Sequence, residues 1–276
     1  MLRLATLFSA LLGISNTVLA QAALPIVLRL HPAVGDTMHT LLEQQTEVTA
    51  TTPGNSVAPA RSVTTTMGIY SRSIVRGVQP TRATVLTVID SAKMTSSDAH
   101  AAAMNAQTQR TLEGQQLILE LGTDGAVESA RDIRGVLVPQ ALADAMASMP
   151  AVFPRGAVVV GGQWVREMPL PSGGPLGARG AGHVRAIFHF DSLQKGGGIA
   201  YLSMRGDILP DSASHGVELT GTVAGSMQLD RVRGWMTDSK FVVLVKSLVT
   251  PPVEAGVAPM RFMTRLTQRL HTMDKR

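Results

Sequence analysis

The chain of 276 residues contains no cysteine. That excludes disulfides, thiolate metal sites and a cysteine nucleophile. It also excludes the acylated cysteine of a lipoprotein. Aromatic residues are scarce at 4%, so a core must be built from Val, Leu, Ile, Met and Ala. Charged residues are 16%, below the usual quarter. Apolar residues nevertheless reach 45%, enough for a sizeable core and too many for a disordered chain. The formal charge of +5 is modest. Lys and Arg do not cluster with interleaved aromatics, which argues against a nucleic-acid surface. The most basic stretch, RFMTRLTQRLHTMDKR (261–276), reads as a solvated edge or tail. Its sharper reading is contact with an anionic lipid surface.

Catalytic motifs are missing as well. There is no HExxH, GxSxG, GxxxxGK[ST] or GxGxxG, and no His pair stands at helical i, i+4 spacing. Ser192-Leu193-Gln194-Lys195 has SxxK spacing. A strand pattern precedes it and Gly196 to Gly198 follow, so the helix that would bring Lys beside Ser is lacking. His183, His189 and Asp191 fall on one strand face. The two histidines would lie about 20 Å apart and cannot share a metal. His189 and Asp191 read as a solvent-exposed pair. Glu43, Glu47, Glu120 and Glu128 fall on alternating strands, and no pair comes within the reach glycoside hydrolysis needs. The expectation is a non-enzyme with no catalytic residue, no metal and no cofactor.

A long hydrophobic run occurs at one place. MLRLATLFSALLGISNTVLAQAALP has a positive Arg3, an apolar 4–14 and small residues at Ala20 and Ala22. This is the pattern of an export signal, cleaved after Ala20 or Ala22. No other segment approaches roughly 20 apolar residues. The expected organisation is a signal peptide over 1–22 and one domain over 23–276, soluble in a bacterial periplasm or secreted.

What the sequence does have is alternation. Residues 35–52 place Met38, Thr40, Leu42, Gln44, Thr46 and Val48 on one face, with His39, Leu41, Glu43, Gln45 and Glu47 on the other. The pattern recurs at 61–75 and 81–94. After a short Ala-rich helix (96–110), 112–121 and 126–133 form a hairpin about Asp124-Gly125. VPQALADAMASMP (138–150) predicts a second helix, with Leu142, Met146 and Met149 on one face. Strand patterns resume at 153–170, 183–191, 199–209, 216–229 and 235–249, and 258–273 reads as a last strand, with a helix, which groups the same Phe262, Leu266 and Leu270, as the alternative. LEGQQLILELGTDGAVESARD (112–132) and LTGTVAGSMQLDRVRGWMTDS (219–239) share a Leu-x-Gly opening and a turn near Gly. They suggest two similar halves, about 23–135 and 151–276, joined by the helix near 138–149. The expected fold is mainly β: one large curved antiparallel sheet, half-barrel or barrel-like, with two short helices.

The export signal, one-sided strands and short helices resemble periplasmic LolA-like lipid and lipoprotein carriers and related mycobacterial lipid-binding lipoproteins. The GGQWVREMPL segment, the Leu-x-Gly hairpins and the last strand also resemble an uncharacterised family of secreted bacterial β proteins. The resemblance implies a hydrophobic cavity for an acyl chain and supplies no catalytic residues. Two readings follow. One is an exported carrier of a lipid or other apolar ligand. The other is a structural or partner-binding envelope protein with a filled core; a hydrolase stands behind both. The inward positions Met38, Leu42, Met146, Trp164, Phe188 and Phe190 are the candidates for a ligand site, with core packing as the alternative role of each.

Overall fold

The computed structural model describes residues 24–52, 60–134, 151–170, 182–210, 217–250 and 258–273. The expected export signal and the helix expected near 138–149, with Met146, lie outside them. Eleven strands form one sheet. They are β1 (Thr37–Thr51), β2 (Arg61–Val78), β3 (Arg82–Ser96), β4 (Gln116–Gly122), β5 (Val127–Asp132), β6 (Gln163–Pro169), β7 (Gly182–Leu193), β8 (Ile199–Pro210), β9 (Val217–Asp230), β10 (Trp235–Val249) and β11 (Met260–Met273). Every neighbouring pair is antiparallel. The order is β5-β4-β3-β2-β1-β11-β10-β9-β8-β7-β6, so the last strand zips onto the first and the two middle strands form the edges. A helix, α1 (Ala102–Leu112), follows a 3-10 turn whose Asp98 carboxylate accepts from His100 N–H. It packs beside the part of β3 that extends past β4.

Adjacent strands lie about 4.8 Å apart. Laid flat, the β4–β5 turn and the β9–β10 turn would be separated by roughly 25 Å. Two consecutive residues nevertheless hold both: Leu30 N–H donates to Thr123 O at 2.8 Å, and His31 N–H donates to Gly234 O at 3.0 Å. Since neighbouring Cα atoms are 3.8 Å apart, the sheet must curl. The edges also meet at this rim. Phe153 N–H, in the run leading to β6, donates to Asp124 O in the β4–β5 turn at 3.0 Å. β5 and β6 themselves do not pair, so the curl stops short of a closed barrel.

The curl buries the face that alternation marks as apolar. Val184, Ala186, Phe188 and Phe190 of β7 are buried, as are Ala200, Leu202, Met204 and Ile208 of β8 and Leu219, Val223, Met227 and Leu229 of β9. The segment from Leu24 to Asp36 runs across the rim as a strap. Its Leu28 is fully buried in the same cluster, together with Val152 and Phe153. Glycines give the curve room where it is tightest. A Cβ on Gly221 would meet the Leu244 carbonyl oxygen and, at 2.9 Å, Ile208 Cδ1; one on Gly225 would meet the Phe241 ring and the Lys240 carbonyl oxygen. Glycine inside a strand serves such close approach.

Some expectations change. The two Leu-x-Gly phrases do different work. Leu112 ends α1 and Gly114 turns the chain at a φ of 78°, whereas Leu219 and Gly221 stand inside β9. The hairpins that follow have strands of 7 and 6 residues in the first case and of 14 and 15 in the second. Among the described residues the two halves hold five and six strands, the same numbers that the alternation gives. The strand expected over 153–170 is confined to β6, because 153–162 is spent crossing the rim. One of the two expected helices, α1, is described; the other, near 138–149, falls outside the described residues.

Candidate functional site

Antiparallel register puts directly opposed residues on one side of a sheet. The concave face can therefore be followed from strand to strand. One row runs Trp164, Phe188, Met204, Gly225, Phe241, Gln268, Gln44, Met67, Met94. The row toward the strap holds Phe190, Leu202, Met227, Ser239, Leu270, Leu42, Ile69 and Ala92. The face has two characters. From β6 to β9 it is apolar and closed over. On β11, β1 and β2 it mixes aliphatic side chains with neutral polar ones, and Leu42, Met67, Ile69, Leu266 and Leu270 are half-buried. None of these five belongs to a core cluster. Hydroxyls on this side pair with each other: Thr40 with Ser71 at 2.8 Å and Ser73 with Thr87 at 3.0 Å.

Charge is almost absent from this surface. Along β1 and β6 to β11, Arg166 is the one charged residue at a concave position among the described residues. Its side chain is 13% exposed and its Nη2 lies 3.6 Å from Asp124 Oδ2. Nη2 also donates to Phe153 O, and Trp164 Nε1 donates to Val152 O at 2.8 Å. Arg166 Nε is buried with no partner. Arg166 thus latches edge strand β6 to the β4–β5 turn at the opposite end of the sheet, and Trp164 ties β6 to the crossing segment. Beside the latch, Pro154 to Val158 and Trp164 to Glu167 line an open cleft of about 650 Å³ along the free edge of β6. Asp124→Asn keeps the turn's acceptor for Ala126 N–H, now 3.2 Å away, but removes the charge facing Arg166. We expect a loss of about 1–2 kcal/mol and faster amide exchange at residues 151–158, read by hydrogen–deuterium exchange mass spectrometry.

The six sequence candidates separate into four groups. Phe188 and Phe190 are fully buried, and Met38 packs with Val75, Ala83 and Val85, so all three sit in the core. Leu42 stands on the concave face, half-buried and outside the core clusters. Trp164 lies at the seam, stacked on Phe188 with ring centroids 5.6 Å apart. Met146 falls outside the described residues. Sequence reasoning did not single out Gln44, Gln268, Arg166 or Asp124 as site residues. Alternation had put Gln44 on the Met38 face, but an isolated Gln carries no signal of its own.

Among the described residues the sequence-flagged His, Ser and Asp groups do not form a catalytic arrangement. His189 Nδ1 lies 2.5 Å from Asp191 Oδ1 on the convex face, partly exposed as expected. Ser203 Oγ donates to that same carboxylate oxygen at 2.8 Å, not to the imidazole, so nothing draws off the hydroxyl proton toward a base. Ser192 and Lys195 stand at the end of β7 and in the following turn. Among the described residues no His, Asp or Glu group is placed to hold a metal.

No family model matches the chain. No curated protein matches it either. Solved structures give distant likenesses. DynF of the dynemicin biosynthesis pathway of Micromonospora chersina is 9% identical, with 94% of this chain and 92% of that one covered and a TM-score of 0.24. The outer membrane protein OprG of Pseudomonas aeruginosa is 8% identical over 88% and 98%, with a TM-score of 0.17. Ail, the attachment invasion locus protein of Yersinia pestis, is 5% identical over 87% and 100%, with a TM-score of 0.13. At these scores the likeness carries no argument about this chain. Its own convex face does. There Lys240, Arg269 and Glu43 stand in one cross-strand row, and Asp207, Arg265 and Glu47 in the next but one. A lipid-facing barrel wall carries an apolar band about 25 Å tall instead. No described helix is long and apolar enough to cross a membrane.

Proposed function

We propose that the chain is an exported, non-enzymatic β protein that holds an apolar, lipid-like ligand against the concave face of its sheet. One observation carries this reading. Leu42, Met67, Ile69, Leu266 and Leu270 face the inside of the curl, yet they are half-buried and lie outside every core cluster. Apolar surface left facing a hollow gains about 25 cal/mol per Å² when a ligand covers it. The charged convex face supports the same assignment, because it leaves the concave side as the surface for apolar partners. The sequence pattern that resembles LolA-like carriers and the export-signal pattern of residues 1–22 support an envelope location for that function. A structural or partner-binding envelope protein with a filled core is the second reading. The complete burial of Phe188, Phe190 and Leu202 favours it on the β7–β8 side.

Leu42→Arg tests the first against the second. A filled core would be disrupted by the charge, with a loss of folded protein. A hollow admits it, because the guanidinium can stay hydrated. We expect a folded variant whose affinity for the uncharged dye N-phenyl-1-naphthylamine is at least tenfold weaker than that of the parent. A parent that binds no dye, and yields no lipid on extraction after purification from a bacterial periplasm, would favour the filled core.

A further inference from the structure

We infer that the ligand of the concave face is an uncharged amphiphile whose ester, amide or hydroxyl groups hydrogen-bond to Gln44 and Gln268. The inference rests on the carrier reading above and narrows it to a chemical class. Gln44 of β1 and Gln268 of β11 are directly opposed in register. They form an amide pair in the middle of the row described above, with Phe241 on one side and Met67 on the other. Both are half-buried. The Gln268 side chain makes no hydrogen bond with the described residues. Gln44 Nε2 makes one long contact, 3.5 Å to Thr46 Oγ1. Each amide offers two donors and an acceptor, so the pair presents open hydrogen-bonding capacity toward the hollow.

Three ligand classes can be compared on this surface. A pure hydrocarbon would cover the amides and leave them unpaired, which is costly for a desolvated polar group. A fatty-acid carboxylate or another charged head needs a cation once it leaves water. The single cation at a concave position on these strands, Arg166, is already engaged by Asp124 and the Phe153 carbonyl. A neutral head group avoids both penalties. Its carbonyls accept from the amide N–H groups, its hydroxyls donate to the amide oxygens, and its chain covers the aliphatic side chains on either side. Along β1 those positions run from Thr40 to Val48, about 13 Å in each direction from Gln44 at roughly 3.3 Å per residue.

The experiment is displacement of N-phenyl-1-naphthylamine from the full chain by 1-monopalmitoylglycerol and by palmitate at pH 8. The same titrations are run on the double variant Gln44→Leu, Gln268→Leu. Monopalmitoylglycerol is expected to displace the dye at a concentration at least tenfold lower than palmitate. The double variant should bind monopalmitoylglycerol about tenfold more weakly, the change that loss of one good hydrogen bond gives, and bind the dye within twofold of the parent. Gln268→Asn, which withdraws the amide by one methylene, should move monopalmitoylglycerol in the same direction if the double variant does not fold. Equal or better displacement by palmitate would overturn the inference, as would unchanged monopalmitoylglycerol affinity in the variants. Both results leave the carrier reading standing. A parent that binds neither dye nor amphiphile sinks the two together.

Discussion

Replacing Phe188 by Ala is expected to cost about 3–5 kcal/mol, or on the order of 10 °C in melting temperature for a chain of this size. Phe188 is fully buried. It lies between Trp164 of β6 and Met204 of β8 in the concave row, and its ring stacks on the indole with an interplanar angle of 8°. Truncation removes the transfer energy of the ring and leaves a void that the surrounding strands cannot close, since their spacing is fixed by backbone hydrogen bonds. The loss also reaches the seam, because Trp164 donates its N–H to Val152 O and so helps hold the crossing segment. Urea unfolding monitored by tryptophan fluorescence measures the effect. Phe262, half-buried on β11, should cost less than half as much on the same substitution. Equal costs at the two positions would contradict the uneven filling described here.

Gly234→Ala is expected to cost about 2–5 kcal/mol, more than its position in a surface turn suggests. The residue adopts a φ of 65°, which costs a residue with a Cβ about 1–2 kcal/mol. An added Cβ would also stand 2.5 Å from His31 O and 2.8 Å from His31 N, in the backbone of the strap. Backbone cannot swing aside as a side chain can, so a further 1–3 kcal/mol of overpacking is expected. The strap must lift, and with it the hydrogen bond from His31 N–H to Gly234 O and the burial of Leu28. Trypsin should then cut at Arg29, an exposed residue of the strap, faster than in the parent. Gly35→Ala is the control. Its φ is 91° but nothing lies within 4 Å of an added Cβ, so it carries the conformational cost without the clash.

These two effects show where reading the sequence works and where it stops. The strands were legible because Val184, Ala186, Phe188 and Phe190 alternate with His183, Arg185 and His189, and a period of two admits few other structures. The Asp124-Gly125 turn was legible because Gly125 supplies the positive φ, 91°, that the hairpin requires. The last strand was legible from Phe262, Leu266 and Leu270, although a helix groups the same residues. The latch was not. Arg166 and Asp124 are 42 positions apart, and nothing local to either one announces the other. The same holds for Gln44 and Gln268, which become neighbours only when β11 pairs with β1.

The sequence by itself determined the local terms: a chain without disulfides, a set of antiparallel strands, and one apolar side for each of them. Those follow from side-chain periodicity and turn chemistry, which act within about ten residues. Tertiary structure alone decided that β11 closes onto β1, leaving β5 and β6 as unpaired edges, and that a strap of residues 24–36 fixes the curl at one rim. It alone decided which inward side chains become core, such as Phe188, and which stay half-buried outside the core clusters, such as Leu42. Both are apolar residues at inward positions of alternating strands. They differ in what the curl brings across from them, and that depends on contacts between segments far apart in the chain.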